Sequence, residues 1–438
     1  MVLLNCKKDM INKVCIHMNR NLHRKELLNQ KQAFVLIIFG MLLIPNIVRA
    51  QTVNFYYDQG VSKMKSGQYE NAIKEFQRVV KKDPYYWDAF YDMACCNVKL
   101  NKKELAIKNL DDAIKAKEDY YDAYFLRARL NYEAGNSRDA LKDYQTVLEK
   151  KPGYILAYDR RGEMYFKADD YKKALPDLDK AIELETKNAN TYLYRAEIYI
   201  GEEAEDQALK MLGKALKLNP ELVRAYTVRY PVYERKEEYK KAIADIGKIM
   251  QISGYDEVLI LKRAEMYYIL ENWKMAAKDF NTIISKYKSR ESDVYYKRGV
   301  CYSRDGQYAL AVKDFSKALM YNREDYASYY ERAVAYTNIS KSKYQMAMRD
   351  FTKAIELKND CHQAYYQRGV FYYKTGKFKD AVDDFSSALK YAQNADYYYY
   401  RGASYYELSR KQEACADLKK ASSMGHAKAK EQEPYMCY

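Results

Sequence analysis

The chain has 438 residues, of which 75 are basic and 60 are acidic, so its formal net charge is +15. It contains only four histidines, and it has no Gly-rich phosphate loop, nucleophile elbow or Cys-x-x-Cys motif, so we expect no catalytic site, no metal site and no cofactor. Lys and Glu are spread along the whole chain instead of forming a basic patch, which argues against a nucleic-acid partner.

The first 50 residues read as a basic leader followed by a short apolar run. The apolar core, residues 33–45, is shorter than the ~20 residues that a membrane-spanning helix needs. A Val-Arg-Ala sequence before Gln51 offers a cleavage site, so we predict a secretory signal peptide and no integral membrane span after cleavage. An uncleaved anchor helix is the alternative. Because the basic leader is long, Met18 would be a more usual start, and residues 1–17 are interpreted as the result of a misplaced start.

Beyond the leader, one sequence motif recurs with a nearly constant period. Its alanine recurs every 34 residues from Ala72 to Ala276, and then after 35, 36, 34 and 33 residues. The alanines are Ala72, Ala106, Ala140, Ala174, Ala208, Ala242, Ala276, Ala311, Ala347, Ala381 and Ala414. A large residue stands four positions after each alanine, and Gly or Ala usually stands twelve before it, where two helices would approach closely. Since a turn separates the small residue from the alanine, each copy is predicted to be a helical hairpin.

The first copy places Tyr56, Gly60, Ala72, Phe76 and Pro84 in an order that resembles the tetratricopeptide repeat. The resemblance implies an all-α fold, a right-handed α-solenoid of about eleven helix-turn-helix repeats in which each repeat packs on its neighbours. We predict repeats 1–5 in residues 51–222, repeat 6 in 223–256, repeats 7–11 in 257–428, and a C-terminal tail in 429–438.

Repeat 6 departs from the pattern. Tyr230 and Pro231 occupy the places of the small residue and its successor. A proline inside a helix removes a hydrogen bond and kinks the helix. We interpret repeat 6 as a bend between two five-repeat arms; a merely degenerate repeat is the alternative.

In this family the first helix of each hairpin lines a concave groove, chiefly through its second, fifth, ninth and twelfth positions. The resemblance therefore implies a partner-binding groove whose two ends are aromatic and apolar. Those end residues are Tyr57, Tyr91, Phe125, Tyr296, Tyr330, Tyr366 and Tyr399 at the fifth position, with Val300, Val334 and Val370 at the ninth. The middle of the groove carries the charged residues Arg129, Asp159, Glu163, Glu197 and Glu265.

The four C-terminal tyrosines, Tyr296, Tyr330, Tyr366 and Tyr399, are called the ladder below. Exposed tyrosines offer a large contact area at low entropic cost, which suits an extended peptide or an amphipathic helix. The alternative is that these tyrosines, among 49 in the chain, pack against neighbouring helices. Family members that bind chaperone C-termini hold the carboxylate with Lys at position five and Asn at position nine. No repeat here has either residue in its place, so we do not expect that activity.

Two cysteines near the C-terminus allow two interpretations. A tail folding back over the last repeat would bring Cys437 to Cys415 and clamp the end of the chain with a disulfide. Alternatively, both are free thiols that act as small buried hydrophobes, the interpretation we favour from sequence.

The sequence thus predicts a non-catalytic scaffold that binds an extended peptide or a helix of a partner protein in its groove. The segment ACADLKKASSMGHAKAK resembles the closing segment of many bacterial tetratricopeptide proteins of the cell envelope. We therefore expect an exported, periplasmic or envelope-associated protein, in an outer-membrane-associated complex. The alternative is a carbohydrate- or polyanion-binding module that uses the tyrosines and the net positive charge.

Overall fold

The structure is a computed structural model that describes residues 50–437, except for the side chain of Met436. The predicted leader, apart from Ala50, lies outside the described residues, so the signal peptide remains a prediction. The chain divides into two compact units, the first ending at Arg195 and the second beginning at Ala196.

The described part of unit 1 consists of helices joined by short turns. These helices are α1 (50–65), α2 (Tyr69–Lys82), α3 (Trp87–Lys99), α4 (Lys103–Ala116), α5 (Tyr121–Glu133), α6 (Ser137–Lys150), α7 (Ile155–Lys167), α8 (Tyr171–Glu183) and the first part of α9 (Ala189–Gly201).

Unit 2 begins within α9 and continues in the same way. Its helices are α10 (Glu205–Leu218), α11 (Val223–Arg235), α12 (Tyr239–Ser253), α13 (Glu257–Ile269), α14 (Trp273–Lys286), α15 (Ser292–Arg304), α16 (Tyr308–Tyr321), α17 (Tyr326–Ile339), α18 (Tyr344–Leu357), α19 (His362–Lys374), α20 (Phe378–Tyr391), α21 (Ala395–Glu407), α22 (Lys411–Ser423) and α23 (Ala427–Met436). A short 3₁₀ turn, Lys341–Lys343, precedes α18.

The predicted all-α solenoid class is confirmed. Within each unit, odd-numbered helices pair with the even-numbered helices that follow them as hairpins, for example α3 with α4 and α21 with α22, and no strand occurs among residues 50–437. The core follows the repeat: every one of the eleven alanines is buried, and so is the large residue four positions later. These large residues are Phe76, Leu110, Tyr144, Leu178, Leu212, Ile246, Phe280, Phe315, Phe351, Phe385 and Leu418.

Between the two helices of a hairpin, the chain turns through one residue in the left-handed region. Gly306 and Gly376 adopt it at φ 76° and 74°, as glycine does without steric cost. In repeat 9 the 3₁₀ turn Lys341–Lys343 takes this place. Helix α17 has 14 residues where the first helix of the next repeat, α19, has 13, so the two-residue insertion is shared between the end of α17 and the turn before α18.

A periodic arginine, one residue before the small position, joins the two helices of its hairpin. It donates from Nε and Nη2 to both carboxylate oxygens of an aspartate on the second helix, at 2.6–2.9 Å. The pairs are Arg127–Asp143, Arg161–Asp177, Arg229–Asp245, Arg263–Asp279, Arg298–Asp314, Arg332–Asp350, Arg368–Asp384 and Arg401–Asp417. Such forked pairs fix geometry as well as adding energy.

The remaining nitrogen of the same arginines, Nη1, usually reaches back to the preceding hairpin. Its acceptors are side-chain oxygens of Asp111, Gln145, Asn281, Ser316, Thr352 and Ser386. Two glycines, Gly213 and Gly247, stand at the acceptor position before Arg229 and Arg263, and neither arginine makes a cross-repeat bond within residues 50–437. The arginine therefore links neighbouring hairpins wherever an acceptor is present.

Repeat 6 keeps its first helix despite its proline. Helix α11 runs from Val223 to Arg235 with Pro231 inside it. The preceding Tyr230 is half-buried and packs against the apolar cluster that contains Ile246 and Ala264. A bend at this repeat remains a prediction.

The predicted tail is helical and covers the last hairpin. Ala429 of α23 is buried against Leu418 and Ala421 of α22. Cys415 and Cys437 form a disulfide with their Cα atoms 5.0 Å apart, so the structure adopts the clamp and not the free thiols favoured from sequence. The cap is thus held by apolar packing and by a covalent bond.

Substitution of Gly369 tests the close contact within a hairpin. A Cβ atom there would lie 2.8 Å from Cε1 of Phe385, so Gly369→Ala is expected to cost about 1–3 kcal/mol in the free energy of unfolding, measured in urea. Gly213→Ala is the matched control, because its Cβ would meet no described atom within 4 Å. This substitution should raise the free energy of unfolding by at most about 1 kcal/mol. Equal stability of the Gly369 variant and the parent would contradict this packing.

Substitution of Arg368 tests the arginine link. Arg368→Lys removes the fork on Asp384 and the bond to Thr352 together, so we expect a loss of about 1–3 kcal/mol in the same measurement. Arg410→Lys changes an arginine in an exposed pair with Glu413, and its melting temperature should match that of the parent. If Arg368→Lys is as stable as Arg410→Lys and the parent, the arginine link contributes nothing measurable to the stability of the fold.

Candidate functional site

The seven aromatic fifth-position residues lie on the first helices, but they are half-buried and not exposed as expected. The reason is that each ring packs on the large residue of its own hairpin. The ring centroids are 5.6 Å apart for Tyr57 and Phe76, 5.7 Å for Phe125 and Tyr144, 6.0 Å for Tyr296 and Phe315, 6.0 Å for Tyr330 and Phe351, and 6.1 Å for Tyr366 and Phe385. These side chains therefore contribute to the core, as the alternative interpretation held, while their outer parts reach the surface.

In unit 1, a second aromatic ring covers each fifth-position ring. The covering tyrosine comes just before the first helix of the next hairpin. The centroid distances are 5.0 Å for Tyr57 and Tyr86, 5.2 Å for Tyr91 and Tyr120, and 5.2 Å for Phe125 and Tyr154. The aromatic residues at the N-terminal end of the predicted groove therefore pack mainly against one another.

In unit 2, the ladder is not uniform. Tyr397 stacks on Tyr366 at 4.7 Å, and the imidazole of His426, at the start of the cap α23, stacks on Tyr399 at 4.2 Å. Within the described residues, Tyr296 and Tyr330 contact no ring besides the phenylalanine of their own hairpin. These two rungs therefore lack the aromatic cover that Tyr366 and Tyr399 have.

The ninth-position valines form the base beside these rungs. Val300 is buried, whereas Val334 and Val370 are half-buried. Val300 belongs to the apolar cluster around Phe315, with Tyr296 packed against it. Tyr296, Tyr330, Val300 and Val334 together make a small aromatic and aliphatic patch on α15 and α17, called the open patch below.

Within unit 1, the acidic residues predicted for the middle of the groove have internal partners, whereas the buried Nε atom of Arg129 has no hydrogen-bond acceptor among residues 50–437. Asp159 is buried and accepts hydrogen bonds from the hydroxyls of Thr186 and Thr191; burial raises the pKa of its carboxyl, and these bonds oppose the rise. Glu163 is paired with Lys167 at 2.8 Å and with Arg160. Arg129 lies 3.8 Å from Glu133.

The two acidic residues of unit 2 also have counter-ions. Arg224 donates to Glu197 at 2.8 Å, and Lys297 donates to Glu265 at 2.8 Å. Burial raises the pKa of Glu197, and Arg224 opposes the rise. The expected acidic middle of the groove is therefore mostly neutralised.

Sequence reasoning missed an acidic row on the first helices of unit 1. Asp88 and Asp122 hold the second position and Asp92 the sixth, and the hydroxyls of tyrosines from adjacent hairpins point to them. Tyr57 donates to Asp92 at 2.8 Å, Tyr154 to Asp122 at 3.0 Å and Tyr120 to Asp88 at 3.5 Å. Burial is the main cause that raises the pKa of Asp88 and Asp92. Reading the second position beside the fifth would have revealed two members of this row.

The remaining chemistry-bearing residues do not gather into a reactive site. Cys95, Cys96, Cys301 and Cys361 are free thiols, and burial raises the pKa of each, which disfavours the reactive thiolate. Within residues 50–437, no group of three or more His, Cys, Asp or Glu side chains is arranged to hold a metal ion. None of the helices described there is both long and apolar enough to span a bilayer.

Comparison with known proteins identifies repeated matches along the chain. Three family models, each described as Tetratricopeptide repeat, match residues 55–84, 91–155, 126–190, 292–325 and 366–425, just over half of the chain. No curated protein sequence matches.

Among solved structures, the chain is similar to YrrB, described as a TPR protein with an unusual peptide-binding site, at 23% identity over 43% of this chain and 95% of that one, with a TM-score of 0.36. Yeast Tom70 is 15% identical over 85% of this chain and 97% of its own, with a TM-score of 0.33. MamA from Desulfovibrio magneticus RS-1 is 20% identical over 38% and 94%, with a TM-score of 0.35.

Truncation of Tyr330 separates packing from exposure. Because its ring rests on Phe351, Tyr330→Ala should lower the free energy of unfolding by about 2–4 kcal/mol. Tyr330→Phe keeps the ring and should melt close to the parent, and Tyr85→Ala, at an exposed tyrosine, should do the same. A Tyr330→Ala variant as stable as the parent would show that this ring is exposed, as first expected for the ladder.

Proposed function

The chain belongs to the tetratricopeptide repeat family, and on that premise we propose that it is a non-catalytic scaffold that binds a peptide segment or a helix of a partner protein. The binding surface is the open patch on α15 and α17 of unit 2. Its partner contributes apolar side chains that bury the outer parts of Tyr296 and Tyr330.

One observation carries this choice of surface. Fifth-position rings elsewhere are covered by Tyr86, Tyr120, Tyr154 or Tyr397, or by His426 of the cap, whereas Tyr296 and Tyr330 are covered by no such ring among the described residues. A tyrosine whose base is anchored in a core and whose outer part is open loses little conformational entropy on binding. Rigid aromatic residues of this kind are the usual energetic centres of protein interfaces.

The proposal extends to the cellular setting. The basic leader, its short apolar run and the Val-Arg-Ala sequence support export, and the resemblance of the C-terminal segment supports an envelope-associated assembly. The alternative, a polyanion- or carbohydrate-binding module, is less well supported, since Asp88, Asp92 and Asp122 would repel a polyanion from unit 1.

The test is a double substitution that preserves the core. Tyr296→Leu with Tyr330→Leu keeps apolar packing on Phe315 and Phe351 but removes the aromatic faces and hydroxyls. Peptides would be selected from a random 12-residue phage library on the parent protein, and their affinities measured by fluorescence anisotropy. The double variant should bind them more weakly by about 2–4 kcal/mol.

The matched control is Tyr57→Leu with Tyr91→Leu, at two rings that Tyr86 and Tyr120 already cover. This control should bind as the parent does. Circular dichroism and melting curves would verify that both double variants are folded. Unchanged affinity in a folded Tyr296/Tyr330 variant would rule out the open patch as the binding surface.

A further inference from the structure

Glu331 follows Tyr330 on α17, and its charge is poorly compensated. The residue is only 9% exposed. Its Oε2 atom is buried and has no hydrogen-bond partner among residues 50–437, and its Oε1 atom lies 3.6 Å from Nη2 of Arg304, beyond hydrogen-bonding distance. A buried carboxylate left in this state costs free energy, so its presence calls for an explanation.

The preceding hairpins show what a satisfied charge at this position looks like. Lys262 and Lys297 are the equivalent sixth-position residues of repeats 7 and 8. Lys262 donates to Glu234 at 3.1 Å, and Lys297 pairs with Glu265 and Asp293, both at 2.8 Å. Repeat 9 reverses the sign of the charge, and the one counter-ion within 4 Å in the described part of the chain is Arg304, whose side chain is 51% exposed.

The surroundings of Glu331 are aromatic. Tyr268, Tyr296 and Tyr330, from three successive first helices, lie close enough for the carboxylate to raise the pKa of each phenol, although burial is the larger cause. A carboxylate beside tyrosine rings is a composition that suits an organic cation, by charge-assisted hydrogen bonds and by cation–π attraction.

We propose that Glu331 receives a lysine or arginine side chain of the partner peptide. The proposal rests on the proposed function and adds the chemistry of the partner: a basic residue flanked by apolar residues that cover Tyr296 and Tyr330. The incoming cation replaces Arg304, whose half-exposed side chain moves into solvent, so the carboxylate gains a closer counter-ion and its hydrogen bonds are completed.

The exchange also predicts the behaviour of the free protein. Because Glu331 is under-compensated without a partner, Glu331→Gln should melt at the same temperature as the parent or higher. Glu265→Gln, which removes a carboxylate paired with Lys297, should melt lower. A Glu331→Gln variant that melts lower than the parent would assign this carboxylate to the fold and overturn the proposal.

Binding is tested with the same random 12-residue phage library, panned in parallel on the parent, Glu331→Gln and Glu324→Gln. Glu324 is an exposed carboxylate in the turn before α17, so its variant makes the same charge change away from the patch. The parent and the Glu324 variant should enrich peptides with a Lys or Arg between apolar residues. Glu331→Gln should lose that enrichment and bind the selected peptides at least tenfold more weakly, as loss of a buried charge partner does.

The outcomes separate the two proposals. Enriched peptides without a basic residue, or equal affinity of the Glu331 variant for basic peptides, would overturn the role of Glu331 and leave the open patch in place. Enrichment of basic peptides whose binding ignores Tyr296→Leu with Tyr330→Leu would locate the site elsewhere and overturn both. Absence of any enrichment by the parent would likewise overturn both proposals.

Discussion

The close approach of the two helices in each hairpin is the constraint on which the rest of the structure depends. Where Gly299 faces Phe315, a Cβ atom would lie 2.8 Å from the ring, so the helices can pack at this distance only over a very small residue. The same approach lets Arg298, one residue earlier, reach both oxygens of Asp314. It also brings Tyr296 down onto Phe315. In this hairpin one steric condition therefore sets the core, the arginine link and the depth of the ladder together, whereas repeat 6 keeps its arginine fork with Tyr230 at the small position.

The sequence was a good guide to whatever recurs with the period. The buried pair Ala381 and Phe385 could be read from spacing, because each hairpin presents the same face to the same kind of neighbour. The covering of the ladder could not be read in this way. It depends on the residues of the next hairpin, which bring Tyr397 onto Tyr366 but no ring onto Tyr330, and these differ from repeat to repeat.

The charged residues of the candidate site show the same difference between contacts that spacing predicts and contacts that depend on the next hairpin. Lys167, a partner of Glu163, stands four positions later on the same helix, so the sequence alone could predict that pair. Lys297, the partner of Glu265, lies 32 residues away in the next hairpin, where only packing brings the two together. Isolated charges predicted from single helices become ion pairs once neighbouring hairpins stack.

Pairs of consecutive tyrosines show why the role of an individual tyrosine is difficult to predict from the sequence. In the pair Tyr365 and Tyr366, the first lies 5.8 Å from the guanidinium of Arg368, on the side of the arginine link, and the second belongs to the ladder. The same division holds for Tyr295 and Tyr296 beside Arg298. Neighbours in the sequence thus face different sides of one helix, one as a cation–π partner and the other as a ladder ring packed on the phenylalanine of its hairpin.

The bond that each arginine makes to the hairpin before it has a consequence for how such a chain changes in evolution. The aspartate within the hairpin is nearly constant, but the acceptor across the junction is Asp111, Asn281, Ser316 or Thr352 in different places. A junction that accepts carboxylate, amide or hydroxyl oxygen alike makes few demands on the identity of the adjoining hairpin. Duplication or loss of a whole hairpin would therefore leave a working junction behind, and the chain can lengthen or shorten in units of one period while its surface diverges freely.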